Sequence, residues 1–589
     1  MDIFGVLTMI GGLALFLYGM SLMGDGLSNV SGGRLEKILE KLTSSPLKAV
    51  VLGAVVTAVI QSSSATTVMV VGFVNSGVMK LSQAVGIIMG ANIGTTMTSW
   101  ILSLSGIESS NIFMQFLKPT SFSPILAIVG VSFLMFSKKE KKKDIGMLLV
   151  GFAILMFGMD TMSGAVKPLA DVPEFTNILL AFSNPILGMV AGLILTAVIQ
   201  SSSASVGILQ ALCITGAVSY ATALPIIMGQ NIGTCVTALL SAIGASKNAK
   251  RASLIHLYFN LIGTIIFMIV FYSINSFIHF PFLQMAAGAA GIAVIHTVFN
   301  VSSTVVLLPF SRVIEKLAYI SIKDEAEEIE ETQADKDFKL LDVRFLETPG
   351  LAVEECRVVA RHMSEVTKES LNLAMELVSK YDEKKADRVK FLENEIDRYE
   401  DRLGSYLVKL AQKQMSEKDN HTTSIILQCL NEFERISDHA VTVMRAAKEM
   451  SEKKLSFSKR AVEELGIYTE AVREILELAV EDFCTQNTER TMDIETLKEV
   501  ISYLRSELKQ HHIKRLQKGK CTIEMGFIHS DIITSYKRVA DHCSNIAVCI
   551  AEVNADEYGT HSYIDDMKHA NSELYKSHYK HVRKKYQLP

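Results

Sequence analysis

The pentapeptide Gln-Ser-Ser-Ser-Ala occurs twice, at residues 61–65 and 200–204, and each copy interrupts a long apolar run. In hydrocarbon an unpaired polar group costs on the order of several kcal/mol, so these hydroxyls must face protein, water or a ligand. The flanks repeat at the same spacing of 139 residues. Thr57-Ala58-Val59-Ile60 matches Thr196-Ala197-Val198-Ile199, and Ile88-Met89-Gly90-Ala91-Asn92-Ile93-Gly94-Thr95 matches Ile227-Met228-Gly229-Gln230-Asn231-Ile232-Gly233-Thr234. Pro46 pairs with Pro185, and Gly19-Met20 with Gly158-Met159. Gapless agreement over some eighty residues marks a duplication, which obliges this part of the chain to fold as two similar halves.

The mean hydropathy of +0.28 and net charge of −4 average over two unlike regions. Apolar runs fill Met1 to about Ile320, whereas the chain from Lys323 onward is dense in charge. The expected fold is all-α: a polytopic membrane domain followed by a soluble helical one. No Lys or Arg precedes the run Ile3 to Met23, so it is expected to be the first span rather than a cleaved signal. The eight cysteines form no CxxC pair, so neither a disulfide framework nor a zinc site is implied.

Basic clusters at Lys138–Lys143 and Lys247–Arg251 place those loops in the cytoplasm, together with the charged C-terminal half. Seven runs are then expected to span, about 3–23, 80–104, 121–137, 145–165, 219–243, 250–275 and 281–309. The serine-bearing segments, about 46–76 and 185–217, are broken in the middle and suit re-entrant hairpins of two half-helices. The N-terminus falls outside, Arg34, Lys37, Lys41 and Lys48 fall inside, and the two repeats are inverted. Between the first span and first hairpin, Leu35, Ile38, Leu39 and Leu42 share one face of an expected interfacial helix.

A hairpin tip sets a half-helix N-terminus in mid-membrane, with free N–H groups and a positive dipole end. Ser62, Ser63, Ser64 and Ser201, Ser202, Ser203 add hydroxyls, while Gln61, Gln200, Asn92 and Asn231 add carboxamide oxygens suited to a hard cation. Thr95, Thr96 and Thr234 lie one turn from the asparagines. No Arg or Lys stands near the centre of a proposed span, since Lys80 and Lys167 fall near ends. The idealised cost of dehydrating one ion is about 20 kcal/mol, so a bound anion would need co-bound cations. Protons are a less natural partner: carboxylates are scarce, and Asp160 corresponds to Ser21 in the first repeat. Isolated Ser and Gly commonly serve only to pack helices closely, but the paired runs go beyond that. Hydrolase chemistry is not expected, because no G-x-S-x-G elbow is present. His256-Leu257-Tyr258-Phe259-Asn260 and His296-Thr297-Val298-Phe299-Asn300 repeat a second pattern, expected to tie the last two helices to the hairpins.

The paired Gln-Ser-Ser-Ser runs, the Gly90-Ala91-Asn92-Ile93-Gly94-Thr95-Thr96 stretch and the inverted halves resemble the type II sodium/phosphate cotransporter family over about residues 1–315. That resemblance implies a shared phosphate and sodium site at Gln61, Ser62, Ser63, Ser64, Gln200, Ser201, Ser202 and Ser203. Gln230 replaces Ala91 and Cys235 replaces Thr96, so the halves need not share ligands equally.

Residues 323–337 read as an acidic, solvated linker. Beyond it, Val389, Leu392, Ile396, Tyr399, Leu403, Tyr406 and Leu410 follow steps of three and four, as do Ile426, Cys429, Phe433, Ile436, Ala440 and Val443. A fainter repeat pairs Glu434-Arg435-Ile436-Ser437-Asp438-His439 with Lys537-Arg538-Val539-Ala540-Asp541-His542, and implies two three-helix bundles, about 350–453 and 456–552. This half resembles the PhoU family of phosphate-signalling regulators, whose members can bind metal clusters. The resemblance implicates Asp397, Asp401, Glu434 and Asp438 in holding a divalent ion or iron cluster, against the plainer reading of a solvated acidic face.

The expected domains are 1–315 for membrane transport (repeats about 3–137 and 145–275, with an extra helix 281–309), 316–349 for the linker and 350–589 for the PhoU-like part. The expected activity is sodium-coupled transport of inorganic phosphate across the cell membrane, with the helical domain as regulator. The alternatives are transport of another small oxyanion or organic anion, or a membrane phosphate sensor. Sodium ion, phosphate and the lipid bilayer are the expected partners, a homodimer is an open option, and nucleic acid is not expected.

Overall fold

The computed structural model describes residues 3–31, 45–104, 119–172, 177, 179–213, 216–323, 332–555 and 572–589. Among these residues every extended regular element is a helix. The expected interfacial helix at 34–42 and residues 324–331 of the expected linker lie outside the described residues. The chain forms two compact units: Met1–Glu330 with Arg344–Leu351, and Glu331–Val343 with Ala352–Pro589.

In the first unit, α1 (Ile3–Ser31) is followed by two short helices, α2 (Pro46–Ile60) and α3 (Ser63–Ser76), and then by α4 (Leu81–Ser103). The order recurs: α5 (Pro119–Phe136) and α6 (Glu140–Val166) precede the short pair α7 (Pro185–Ile199) and α8 (Ser202–Cys213), then α9 (Tyr220–Ser241). Helices α10 (Lys247–Ile278), α11 (Ala289–Leu307) and α12 (Ser311–Ser321) complete it. Six helical segments are long and apolar enough to cross a membrane, among the described residues. The expected span 121–137 instead falls among the shorter apolar helices, at Ser121–Phe136. The span expected from 281 starts later, because Pro281 opens a short 3-10 turn and Gly288 caps α11.

The first half-helices have matching beginnings. Ser45 accepts a hydrogen bond from the Lys48 N–H ahead of Pro46, and Asn184 accepts from Ile186 and Leu187 N–H ahead of Pro185. A polar N-cap with proline at the first helical position is a strong start signal.

Glycines set the packing. A Cβ on Gly90 would run into Val50 O, and one on Gly229 into Met189 O; one on Gly53 would strike Ile87 O, and one on Gly192 Ile226 O. These are the same contacts displaced by 139 residues, so α2 lies on α4 as α7 lies on α9. Helices α1 and α6 are also repeat mates, and they pack on each other. Gly19 approaches Gly151 O at 2.8 Å, Gly158 approaches Gly12 O at 2.7 Å, and Gly26 approaches Asp144 O at 3.0 Å, distances being from an added Cβ. Rising numbers in α1 meet falling numbers in α6, so the pair is antiparallel.

In the second unit, α14 (Pro349–Ser379), α15 (Glu383–Leu410) and α16 (Glu417–Glu452) precede α17 (Lys459–Thr485), α18 (Thr491–Gln517) and α19 (Ile523–Ala555), with α20 (Ser572–Lys585) last. Both apolar stripes expected on α15 and α16 are buried. Helices α16 and α19, third in each triplet, pack together and bring the repeat mates His439 and His542 to a ring separation of 5.7 Å. Part of the expected linker is ordered instead: α13 (Gln333–Phe338) is started by a reciprocal capping box between Thr332 and Asp335. Asp337 of this helix is buried, accepting from the Tyr399 hydroxyl and lying 2.8 Å from His362 Nδ1.

Candidate functional site

Each Gln-Ser-Ser-Ser run is a break between two helices. Gln61 ends α2 with φ 59°, ψ 20°, and Gln200 ends α7 with φ 59°, ψ 21°. Left-handed backbone is unusual for glutamine, and its identical occurrence at both positions stops each helix at the same residue.

The three serines of a run do different jobs. Ser62 caps α3 by accepting from Ala65 N–H at 3.1 Å, and Ser201 accepts from Ala204 N–H at 3.2 Å. The second serines meet across the unit: Ser63 Oγ lies 3.5 Å from Ser202 Oγ. Ser64 Oγ donates toward Gln200 O at 3.5 Å, and Ser203 is buried. Two half-helix N-termini therefore converge, edged by hydroxyls. Arg251 and Asp144 are the buried charged side chains of this unit among the described residues. Both sit in the first two turns of their helices, and Arg251 donates to Ile322 O. The meeting point thus offers dipoles and hydroxyls without a countercharge.

The repeats are not equivalent here. Gln61 is buried, donating to Ala58 O and accepting from Thr98 Oγ1 at 2.9 Å. Thr57 Oγ1 donates to Thr66 Oγ1 at 3.0 Å. In the second repeat Gln200 is exposed, and the mates of those partners, Thr196, Ser205 and Thr237, are buried hydroxyls without a hydrogen-bond partner. The hydroxyl contacts around Gln61 thus have no counterparts around Gln200.

The asparagines also diverge. Asn92 Nδ2 donates to Ile88 O at 2.9 Å within its own helix, whereas Asn231 Oδ1 lies 3.4 Å from His296 Nε2. Thr95 and Thr234 donate to the carbonyls of Ala91 and Gln230, each at 3.0 Å, which leaves oxygen lone pairs free for a cation. His296 Nδ1 lies 2.8 Å from Ser99 Oγ, so this histidine ties α11 to α4 and α9 rather than to the hairpins themselves. His256 does not mirror it, since its Nδ1 has no partner. Thr98, Ser99 and Gln210 escaped the sequence reading. Thr98 was discoverable, because Thr237 stands 139 residues on; Gln210, which donates to Ser99 O at 3.0 Å and Ala289 O at 2.9 Å, carried no signal in its neighbourhood.

In the second unit Asp397 is pushed upward in pKa by burial first, then by Asp438 and Asp401. Glu434 is raised by burial and then by Asp438. These acids share one field, but Arg435 enters it, 3.5 Å from Glu434 and 3.7 Å from Asp438. Among the described residues no three His, Cys, Asp or Glu side chains converge as a metal-ligand set. The metal expected at Asp397, Asp401, Glu434 and Asp438 therefore does not fit these side chains as they stand.

Comparison with known proteins agrees with this architecture. The family model described as Na+/Pi-cotransporter matches residues 15–164 and again 154–296, and the PhoU domain model matches 360–447 and 467–550. The chain is 24% identical over 573 residues to the "Putative inorganic phosphate export protein YjbB" of Escherichia coli K12, covering 95% of this chain and 99% of that one. It is 28% identical over 320 residues to the "Uncharacterized protein YqeW" of Bacillus subtilis, covering 53% of this chain and 96% of that one. A stretch of 99 residues is 36% identical to rat "Sodium-dependent phosphate transport protein 2A", covering 16% of this chain and 15% of that one. No solved structure gives a significant match.

Proposed function

We infer, from a chain whose residues 15–296 belong to the Na+/Pi-cotransporter family and whose residues 360–550 carry a PhoU domain, that it moves inorganic phosphate across the cell membrane coupled to sodium, under control of the PhoU domain. The observation that carries this reading is the approach of Ser63 and Ser202 to 3.5 Å at the ends of two half-helices. Phosphate accepts from hydroxyls and N–H groups there. With no buried Arg or Lys beside it among the described residues, sodium supplies the missing charge, held by carboxamide and threonine oxygens of α4 and α9.

The two hairpins enter from opposite faces, which the antiparallel packing of the repeat mates α1 and α6 supports. Orientation with the N-terminus outside and the PhoU domain in the cytoplasm follows from the basic loops. Alternating access then has a concrete form. In this conformation Gln61 is closed on Thr98 while Gln200 is open; in the opposite-facing state Gln200 closes on Thr237 and Gln61 is released. Direction follows the imposed gradients.

The deciding experiment is flux of labelled phosphate in vesicles containing the purified chain, with sodium imposed on either side. Flux should follow the sodium gradient and fall to background when sodium is replaced by potassium. Sodium-independent flux, or none, would defeat this reading.

A further inference from the structure

The second unit contains a cavity of about 360 Å³ between the α16–α17 and α18–α19 connections. Its lining carries Lys454, Arg515, Lys520 and His512 and no carboxylate. In a chain of net charge −4 such one-sidedness calls for a partner. Glu524, beside the lining Met525, lies 3.7 Å from Lys453, and the fully buried Glu464 is already shared. Arg515 Nη1 donates to Glu464 Oε2 at 2.5 Å, Arg460 Nε lies 3.2 Å from Oε1, and His511 Nδ1 lies 2.9 Å from Oε1.

Arg515 is left with Nη2 buried and without an acceptor. An unsatisfied guanidinium nitrogen forfeits on the order of a full charge-assisted hydrogen bond unless a ligand supplies the oxygen. Behind the cavity wall, His512 stacks on the buried His529 at 5.0 Å, and His529 Nε2 also lacks a partner. Both imidazoles are held below their usual pKa, by burial first and then by the positive neighbours. Positive side chains line the cavity, and Glu464, already bound to Arg515, is not part of that lining.

The backbone adds to it. Ser458 and Thr522, which cap α17 and α19, both line the cavity, so the amino ends of two long helices open there. Lys454 and Gly519 bend the connections with left-handed φ of 52° and 63°, keeping the loops short around the opening.

We propose that this cavity binds an oxyanion, either free inorganic phosphate or the phosphoryl group of a larger metabolite, held by Arg515, Lys520 and Lys454 at the two helix amino ends. It lies within the helical unit and does not depend on the transport reading. The ligand would report phosphate status to the half of the chain that carries no transport residues.

Cys521 supplies a local readout. It lines the cavity, its Sγ lies 3.7 Å from His512 Nδ1, and it is partly accessible. The full-length protein in sodium-free buffer would be treated with iodoacetamide and the modification of Cys521 followed by mass spectrometry. Cys484, also partly accessible and outside the cavity, is the internal reference. Millimolar inorganic phosphate or a nucleoside monophosphate should slow Cys521 modification several-fold without affecting Cys484. Protection by phosphate alone identifies the free ion, and protection by the nucleotide alone identifies the larger source. Reversing the exposed Lys520→Glu or Lys454→Glu should raise the protecting concentration about tenfold or more. Ser202→Ala should leave protection unchanged while weakening sodium-dependent phosphate binding, which separates the two sites. No protection by either compound, or protection indifferent to both lysine reversals, would overturn the proposal.

Discussion

Thr98 and Thr237 are equivalent in sequence and opposite in circumstance, and that contrast is where single residues become informative. Thr98 donates to Gln61 Oε1 at 2.9 Å, while the hydroxyl of half-buried Thr237 is enclosed without a partner. Thr98→Val removes a hydrogen bond worth about 1 kcal/mol from this conformation alone, a shift of about fivefold in a two-state equilibrium. Cysteine-accessibility labelling of the first hairpin should therefore increase in Thr98→Val. Thr237→Val should change it in the opposite sense or not at all, and equal effects of both would contradict the alternation. Within each serine run the outcomes should also split. Ser62→Ala and Ser201→Ala lose N-caps, costing about 1 kcal/mol each in thermal unfolding. Ser63→Ala and Ser202→Ala should spare stability and weaken phosphate affinity by about tenfold or more, as read by uptake kinetics.

Helices pair in this protein where side chains are absent. Gly90 and Gly229 face carbonyl oxygens of α2 and α7 at a distance that admits no Cβ. Gly90→Ala and Gly229→Ala must therefore push a half-helix off its long partner, and each should lower the melting temperature by several degrees. The two losses should be similar because the contacts are the same; a large inequality would mean that only one hairpin is anchored through this seam. Gly72 makes a different point. A Cβ there would collide with the ring of Phe345, at 2.5 Å from Cε1, and that ring also packs on Phe73 at 5.4 Å. Residues 344–351, far along the chain, thereby complete the unit that contains α3, and Arg344 donates to Ser241 O at 3.3 Å in the same unit.

At the scale of the whole molecule, two compact units predict two unfolding transitions, and each can be moved separately. Sodium added at fixed phosphate should raise the first unit's transition alone, by linkage to the site at Ser63 and Ser202. The second unit carries Asp482, fully buried with neither carboxylate oxygen hydrogen-bonded and Arg490 Nε at 3.9 Å. Burial lifts its pKa from 3.8 to about 6. Since the folded value is the higher one, its stabilising effect is complete below about pH 4 and is lost as pH rises through 6. Asp482→Asn should remove that slope and stabilise the unit by about 1–3 kcal/mol at pH 8, leaving the first transition in place.

Much of this architecture was written locally. Repetition at a spacing of 139 announced two halves, Pro46 and Pro185 marked helix starts, and the stripes through Val389–Leu410 and Ile426–Val443 foretold buried faces. Polarity and periodicity are properties of short segments, so the chain reveals them unaided. What composition could not reveal depends on contacts between distant residues. The division of each serine run into a capping and a facing hydroxyl, the pairing of His296 with Ser99 and Asn231, and the ordering of Gln333–Phe338 out of an acidic stretch are of this kind. Two closely matching repeats were nevertheless settled into unlike states, with the Gln61 side chain buried and bonded and Gln200 exposed. Only tertiary structure decides that, because one packed arrangement pairs the hydroxyls around Gln61 and leaves their mates Thr196, Ser205 and Thr237 without partners.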